Sequence, residues 1–276
     1  MVGYKTQSLD TTREAEIFLF ELWRSWSLSQ KSDCLNSTTY NVRETAWYLS
    51  KTQSGYLDQD HQIRYFFDKV STVLPHGFVT TFSHLTMIGV IEEALIVTKV
   101  LDSLNIAYFI GGSVASGIWG ELRYTQDLDL VADIQFNHIE GLLAAFSERF
   151  YISDSAVREA IYRERSFNLI DNNTGWKIDI FVLAQNIFQQ NQLKRRQAIS
   201  VNEKDDKLYF SSAEDTVLQK ILWYRLSQRQ SEQQWRDILG ILKLQSDRLD
   251  LKYLQDWAQS LSISQDLETA LNEAGF

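Results

Sequence analysis

The chain has 276 residues, a formal charge of -9, 44% apolar residues, one proline and twelve glycines. Its acidic balance speaks against a broad non-specific nucleic-acid surface, which would be basic, and so little proline and glycine speaks against long flexible linkers. The single cysteine, Cys34, excludes an intrachain disulfide and a cysteine-based zinc site. These features fit a reducing cytoplasmic setting. No apolar stretch reaches membrane-span length, and no basic start followed by an apolar core marks a signal peptide. Basic residues cluster at Lys194, Arg195 and Arg196 and again at Lys220, Arg225 and Arg229. They read as solvated helix faces, although a local patch for RNA stays open.

Residues 1–9 are polar. Thr11 with Glu14 three residues on forms a capping box, and Phe18, Leu19, Leu22, Trp23 and Trp26 follow at helical spacing. Two more helical stretches are expected over about 37–52 and 58–70, separated by Ser54-Gly55. Residues 1–75 therefore read as a helical N-terminal unit, ending at Pro75, His76 and Gly77, and offering a face for a protein partner.

Ser83 opens an apolar helix reaching about Ser103, and Ile106 to Ile110 reads as a buried strand. Helices are expected over 139–150 and 154–163. Two strands near 166–171 and 176–183 flank Asn172-Asn173-Thr174-Gly175, a good hairpin turn. A helix over 184–196 and an extended piece at 208–210 follow. A capping box at Ser211 and Glu214 opens a helical region over 211–276. The fold class expected is α/β (α+β). A small mixed β-sheet core over 76–210 is flanked by helices, with helical regions at both ends.

The chemistry concentrates between Tyr108 and Ala132. Gly111 and Gly112 admit backbone conformations closed to other residues and let a phosphate approach closely. Ser113 stands at a natural N-cap, so the helix it opens, ending near Gly120, would turn its N–H groups toward an anion. Beyond it, strand alternation puts Arg123, Thr125, Asp127 and Asp129 on one face and Leu122, Leu128 and Leu130 on the other. Two adjacent carboxylates repel and lose water on burial, which a cation relieves, and magnesium prefers such oxygens together with phosphate oxygens. Asp179, between Ile178 and Ile180, repeats the pattern with Lys177 on its face. If its strand lies beside the first, three carboxylates converge and two magnesium ions become plausible. Asp179 would then be a general base or a ligand of the second ion.

Gly-Gly-Ser, thirteen residues, Asp-Leu-Asp-Leu and a later strand Asp resemble the nucleotidyltransferase superfamily that includes DNA polymerase beta. The variant Gly-Gly-Ser-Val-Ala-Ser with Arg-Tyr-Thr-Gln-Asp-Leu-Asp is most similar to bacterial minimal and AbiEii-like members. The likeness covers about residues 85–245 and leaves the N-terminal unit outside. It implies that Gly112 and Ser113 bind the triphosphate and that Asp127, Asp129 and Asp179 bind Mg2+. It also implies that Arg123 and Lys177 lie near phosphate. Lys220 and Asp237 correspond to a Lys and an Arg-Asp pair of the helical tail. The implied activity is magnesium-dependent transfer of NMP from an NTP to a hydroxyl of RNA, such as tRNA, or of a protein, with a toxin–antitoxin role among the possibilities. Two alternatives stand beside it: a nucleotide-binding or antitoxin-like interaction module with little turnover, and an aminoglycoside-type small-molecule adenylyltransferase.

Overall fold

The computed structural model describes residues 4–7, 12–53, 66, 88–125, 127–202 and 205–276. The expected capping box on Thr11, most of the helix over 58–70, the Pro75–Gly77 boundary and the helix start at Ser83 lie outside them. Helix α1 (Arg13–Ser25) is capped by Thr12, whose hydroxyl accepts from the Ala15 N–H. Helix α2 (Leu28–Gln53) begins earlier than the apolar spacing predicts. A reciprocal pair starts it: Ser27 Oγ accepts from Gln30 N, and Gln30 Oε1 accepts from Ser27 N.

Helix α3 (Val90–Ser103) starts at Gly89, which has no side chain to cap it. Helix α2 supplies the caps: Thr39 Oγ1 accepts from Val90 N at 3.0 Å and Asn36 Oδ1 from Ile91 N at 3.1 Å. Asn105, in the left-handed region, then turns the chain into β1 (Tyr108–Ile110), whose three residues are all buried. Helix α4 (Gly112–Trp119) and strand β2 (Leu128–Ala132) complete the motif.

The following elements are α5 (Ile139–Phe146), β3 (Phe150–Tyr151), α6 (Asp154–Arg163), β4 (Ser166–Asp171), β5 (Lys177–Val182), α7 (Ile187–Arg195), β6 (Gln197–Ser200) and β7 (Lys207–Phe210). The last four helices are α8 (Ala213–Leu226), α9 (Glu232–Gln245), α10 (Leu251–Ser260) and α11 (Ser264–Ala274). The helix expected over 139–150 is shorter, because Phe150 leaves it to pair with Asp171 across β3 and β4.

Among the described residues seven strands form one mixed sheet in the order β3-β4-β5-β2-β1-β7-β6, in keeping with the class expected. The β4–β5 hairpin turns through residues 172–175, as its composition predicts. Asp171 accepts from Asn173 N and Thr174 N, and Gly175 takes φ +68°. Strand β5 alternates, with Ile178, Ile180 and Val182 buried and Lys177 and Asp179 on the half-buried face. The α8 cap sits one residue later than expected: Ser212, not Ser211, accepts from Asp215 N, because Ser211 N extends the sheet by donating to Ile110 O. Helix α8 is buried along most of its first three turns and packs against α4, α9 and α10. Leu35 of α2 reaches the same core and packs over Gly117 of α4. Among the described residues no helix is long and apolar enough to cross a membrane.

Candidate active site

Two strand registers build the site. Antiparallel pairing of β1 with β2 brings Gly111 opposite Asp129, and the Gly111 N–H donates to Asp129 O at 3.0 Å. Parallel pairing of β2 with β5 puts Asp129 directly beside Asp179. Strand β4 adds Asn168 on the other side of Asp179. Helix α4 starts where β1 ends, so its first N–H groups, at Gly112, Ser113 and Val114, open over this row.

Gly112 is required here for two reasons. Its φ of +56° lies in the left-handed region, and a Cβ on it would fall 1.8 Å from Asp129 Oδ2. The N-cap is therefore Gly111 rather than Ser113, a correction to the expected helix start. Ser113 instead shares a short hydrogen bond with the hydroxyl of Thr125.

Residues 121–125 and Asp127 lie outside the strand, which begins only at Leu128, so Arg123, Thr125 and Asp127 do not share a strand face with Asp129. Side-chain partners hold these residues. Thr125 is buried and donates to the carbonyl of Asp127 at 3.1 Å. Arg123 forms a two-pronged pair with Asp237 of α9, Nε to Oδ1 at 2.9 Å and Nη2 to Oδ2 at 2.8 Å. Lys220 of α8, almost wholly buried, donates to the same Asp237 at 2.6 Å. Arg236 does not pair with its neighbour Asp237; it binds Glu121.

The carboxylates repel one another. Burial first, then the charges of Asp179 and Asp127, push Asp129 up to about 6. Burial also raises Asp127, against the attraction of Lys177. Burial works to raise Asp237 as well, but the hydrogen bonds from Arg123 and the charge of Lys220 hold it below the ordinary aspartate value. Lys220 is itself pulled down by burial against the attraction of Asp237, and its charge also reaches Asp129. Lys177 Nζ lies 2.5 Å from Asp179 Oδ2.

Among the described residues no three His, Cys, Asp or Glu side chains form a ready-made metal cage. The donor set nevertheless suits a hard cation: Asp127 and Asp129 are two carboxylates whose charged forms burial disfavours, a cost that a bound cation would relieve. Magnesium characteristically takes one or two carboxylates and completes its shell from phosphate and water. Against the glycine turn, a cavity of about 100 Å³ is lined by Gly111, Gly112, Asp129, Gln192, Lys220 and Trp223.

Sequence reasoning brought Gly111, Gly112, Ser113, Asp127, Asp129, Asp179 and Lys177 to this neighbourhood. It missed Asn168, although the hairpin turn at 172–175 fixes Asn168 opposite Asp179 and supplied the signal. Gln192 and Trp223 carry no local signature, since only the docking of α7 and α8 brings them in.

No protein-family model and no curated protein matches the chain. Among solved structures, the chain resembles an antigenic nucleotidyltransferase-like protein from Paracoccidioides brasiliensis, at 22% identity and a TM-score of 0.41, over 66% of this chain and 91% of that one. It also resembles the lincosamide antibiotic adenylyltransferase LnuA in its lincomycin-bound form, at 14% identity and 0.38, over 59% and 99%. A third likeness is to the antibiotic-resistance factor ANT(2'')-Ia, at 11% identity and 0.39, over 64% and 97%.

Proposed function

We propose that the chain is a magnesium-dependent nucleotidyltransferase that moves a nucleoside monophosphate from an NTP to an acceptor hydroxyl. The observation that carries this reading is the row of Asp129 and Asp179 in register beneath the start of α4, with Gly112 pressed onto Asp129. Anion donors and cation ligands meet there within one residue of each other, which is what a metal–triphosphate needs.

In this reading the N–H groups of Gly112, Ser113 and Val114 bind the terminal phosphates. Lys177 and Arg123 add positive charge beside them. Asp127 and Asp129 would hold magnesium, which when bound offsets triphosphate charge and makes the acceptor hydroxyl more acidic. Asp179 lies beside them with one oxygen on Lys177. Its other oxygen takes the acceptor proton or joins in cation binding. The acceptor oxygen bonds to the α-phosphorus, the bond to the bridging oxygen breaks, and pyrophosphate leaves. Lys220 serves through Asp237, which it holds ionised to fix Arg123.

The acceptor is an RNA such as tRNA, a protein or a small molecule, and the AbiEii-like resemblance favours RNA. Titration of each magnesium–NTP against the parent chain and an Asp127→Ala/Asp129→Ala variant tests the proposal. Saturable, magnesium-dependent binding lost in the variant is expected. Failure of every magnesium–NTP to bind would overturn it.

A further inference from the structure

A second cleft, of about 490 Å³, opens at the opposite end of α4 from the glycine pair. Eight residues at 1.5 Å each put about 12 Å of helix between them. Trp119, the last residue of α4, forms one wall, and Trp26 and Gln245 form others. Arg24 of α1, Lys31 of α2 and Arg248 of the turn after α9 supply three positive charges, and among the described residues no carboxylate lines the cleft. Its volume falls in the range of small-molecule sites.

The cations are not equivalent. Arg24 is occupied, donating to Lys243 O at 2.6 Å and Leu244 O at 3.0 Å at the end of α9. Arg248 is exposed. Lys31 is only 2% exposed, yet its ammonium makes no hydrogen bond or ion pair among the described residues. An ammonium with so little solvent contact and no protein acceptor is costly, and an apolar residue of similar length would pack there without that cost. Burial first, then repulsion from Arg248 and Arg24, pulls Lys31 down to about 8.

We infer that this cleft is an anion site for a phosphate-bearing ligand, with Lys31 as its central donor, Arg248 at its mouth and Arg24 adding charge from behind. The phosphate belongs either to a free small molecule or to a nucleic-acid backbone. The site is separate from the proposed triphosphate grip and stands whether or not that reading holds.

The test is isothermal titration of the full chain with inorganic pyrophosphate, with magnesium chelated so that the carboxylate site has no cation to recruit phosphate. Saturable binding is expected, weakened at least about tenfold by Lys31→Met and severalfold by Arg248→Gln. Arg248 is exposed, so its variant keeps the test valid if Lys31→Met misfolds. Near pH 8 the parent should take up more protons on binding than Lys31→Met does, because the anion restores the charge of Lys31; a purely structural lysine would leave the two equal. Arg248 and Arg24 are the charged groups that act on Lys31. A parallel titration with a 5′-phosphorylated oligonucleotide identifies the source: tighter binding than pyrophosphate assigns a nucleic-acid backbone, equal or weaker binding a free phosphate compound. No saturable binding of either probe, or binding that survives both substitutions, would overturn the inference.

Discussion

The carboxylate of Asp129 fills the space that a side chain on Gly112 would need. A Cβ there would lie 1.8 Å from Oδ2, and Gly112 also takes φ +56°. Gly112→Ala therefore adds a backbone penalty of about 1–2 kcal/mol and displaces the proposed metal ligand. We expect a lower melting temperature, and magnesium–NTP affinity reduced by more than the stability loss explains, read by calorimetry and nucleotide titration.

Asp129 also predicts how stability depends on pH. Its native value of about 6 lies above the ordinary aspartate range, so the folded chain holds a proton that the unfolded chain has lost. Stability contributed at this position therefore falls as pH rises from about 4 to 6. Asp129→Asn should be more stable than the parent at pH 7, by about 1–3 kcal/mol, and close to it near pH 4. Magnesium with NTP should stabilise the parent and not the variant. Denaturant melts at the two pH values, with and without magnesium–NTP, check each part.

Removing Asp237 leaves Lys220 and Arg123 facing each other without their shared carboxylate. Asp237→Ala should cost about 3–5 kcal/mol, the usual range for breaking a buried pair. The double variant Lys220→Met/Asp237→Leu should recover part of that loss, because the buried Lys220 charge goes with its partner and only the more exposed Arg123 is left unpaired by Asp237. A double-mutant cycle by urea unfolding measures the coupling. Activity should stay low in both, since Arg123 loses its anchor.

Thr125 offers a milder test. Its hydroxyl joins Ser113 to the Asp127 carbonyl. Thr125→Val keeps the shape and removes both bonds, at about 1–3 kcal/mol. Thermal denaturation should register that loss, and magnesium-dependent NTP binding should weaken as Asp127 loses its support.

Local patterns carried much of this architecture. The Asn172–Gly175 turn and the alternation of β5 placed the hairpin and the face of Asp179 correctly. Alternation misled at 122–127, where polar and apolar residues imitate a strand. Arg123 is drawn out of any ladder by Asp237, more than a hundred residues away in α9. Ser113 looked like the natural cap, but the left-handed turn at Gly112 moves the helix start forward. Such tertiary partners leave no trace in a local window, and for the same reason the Lys31 cleft, assembled from α1, α2, α4 and the turn after α9, could not be read from spacing.

The beginning of the chain is held by its end. Lys5 N donates to Glu273 O, Glu16 forms a buried pair with Lys243, and Arg24 binds the last carbonyls of α9. During synthesis the first helices emerge long before these partners exist. Helix α1 packs on α9, so its docking waits for α9 and closes a loop of more than two hundred residues. Losing α9 would thus act on α1, although the two lie far apart in sequence.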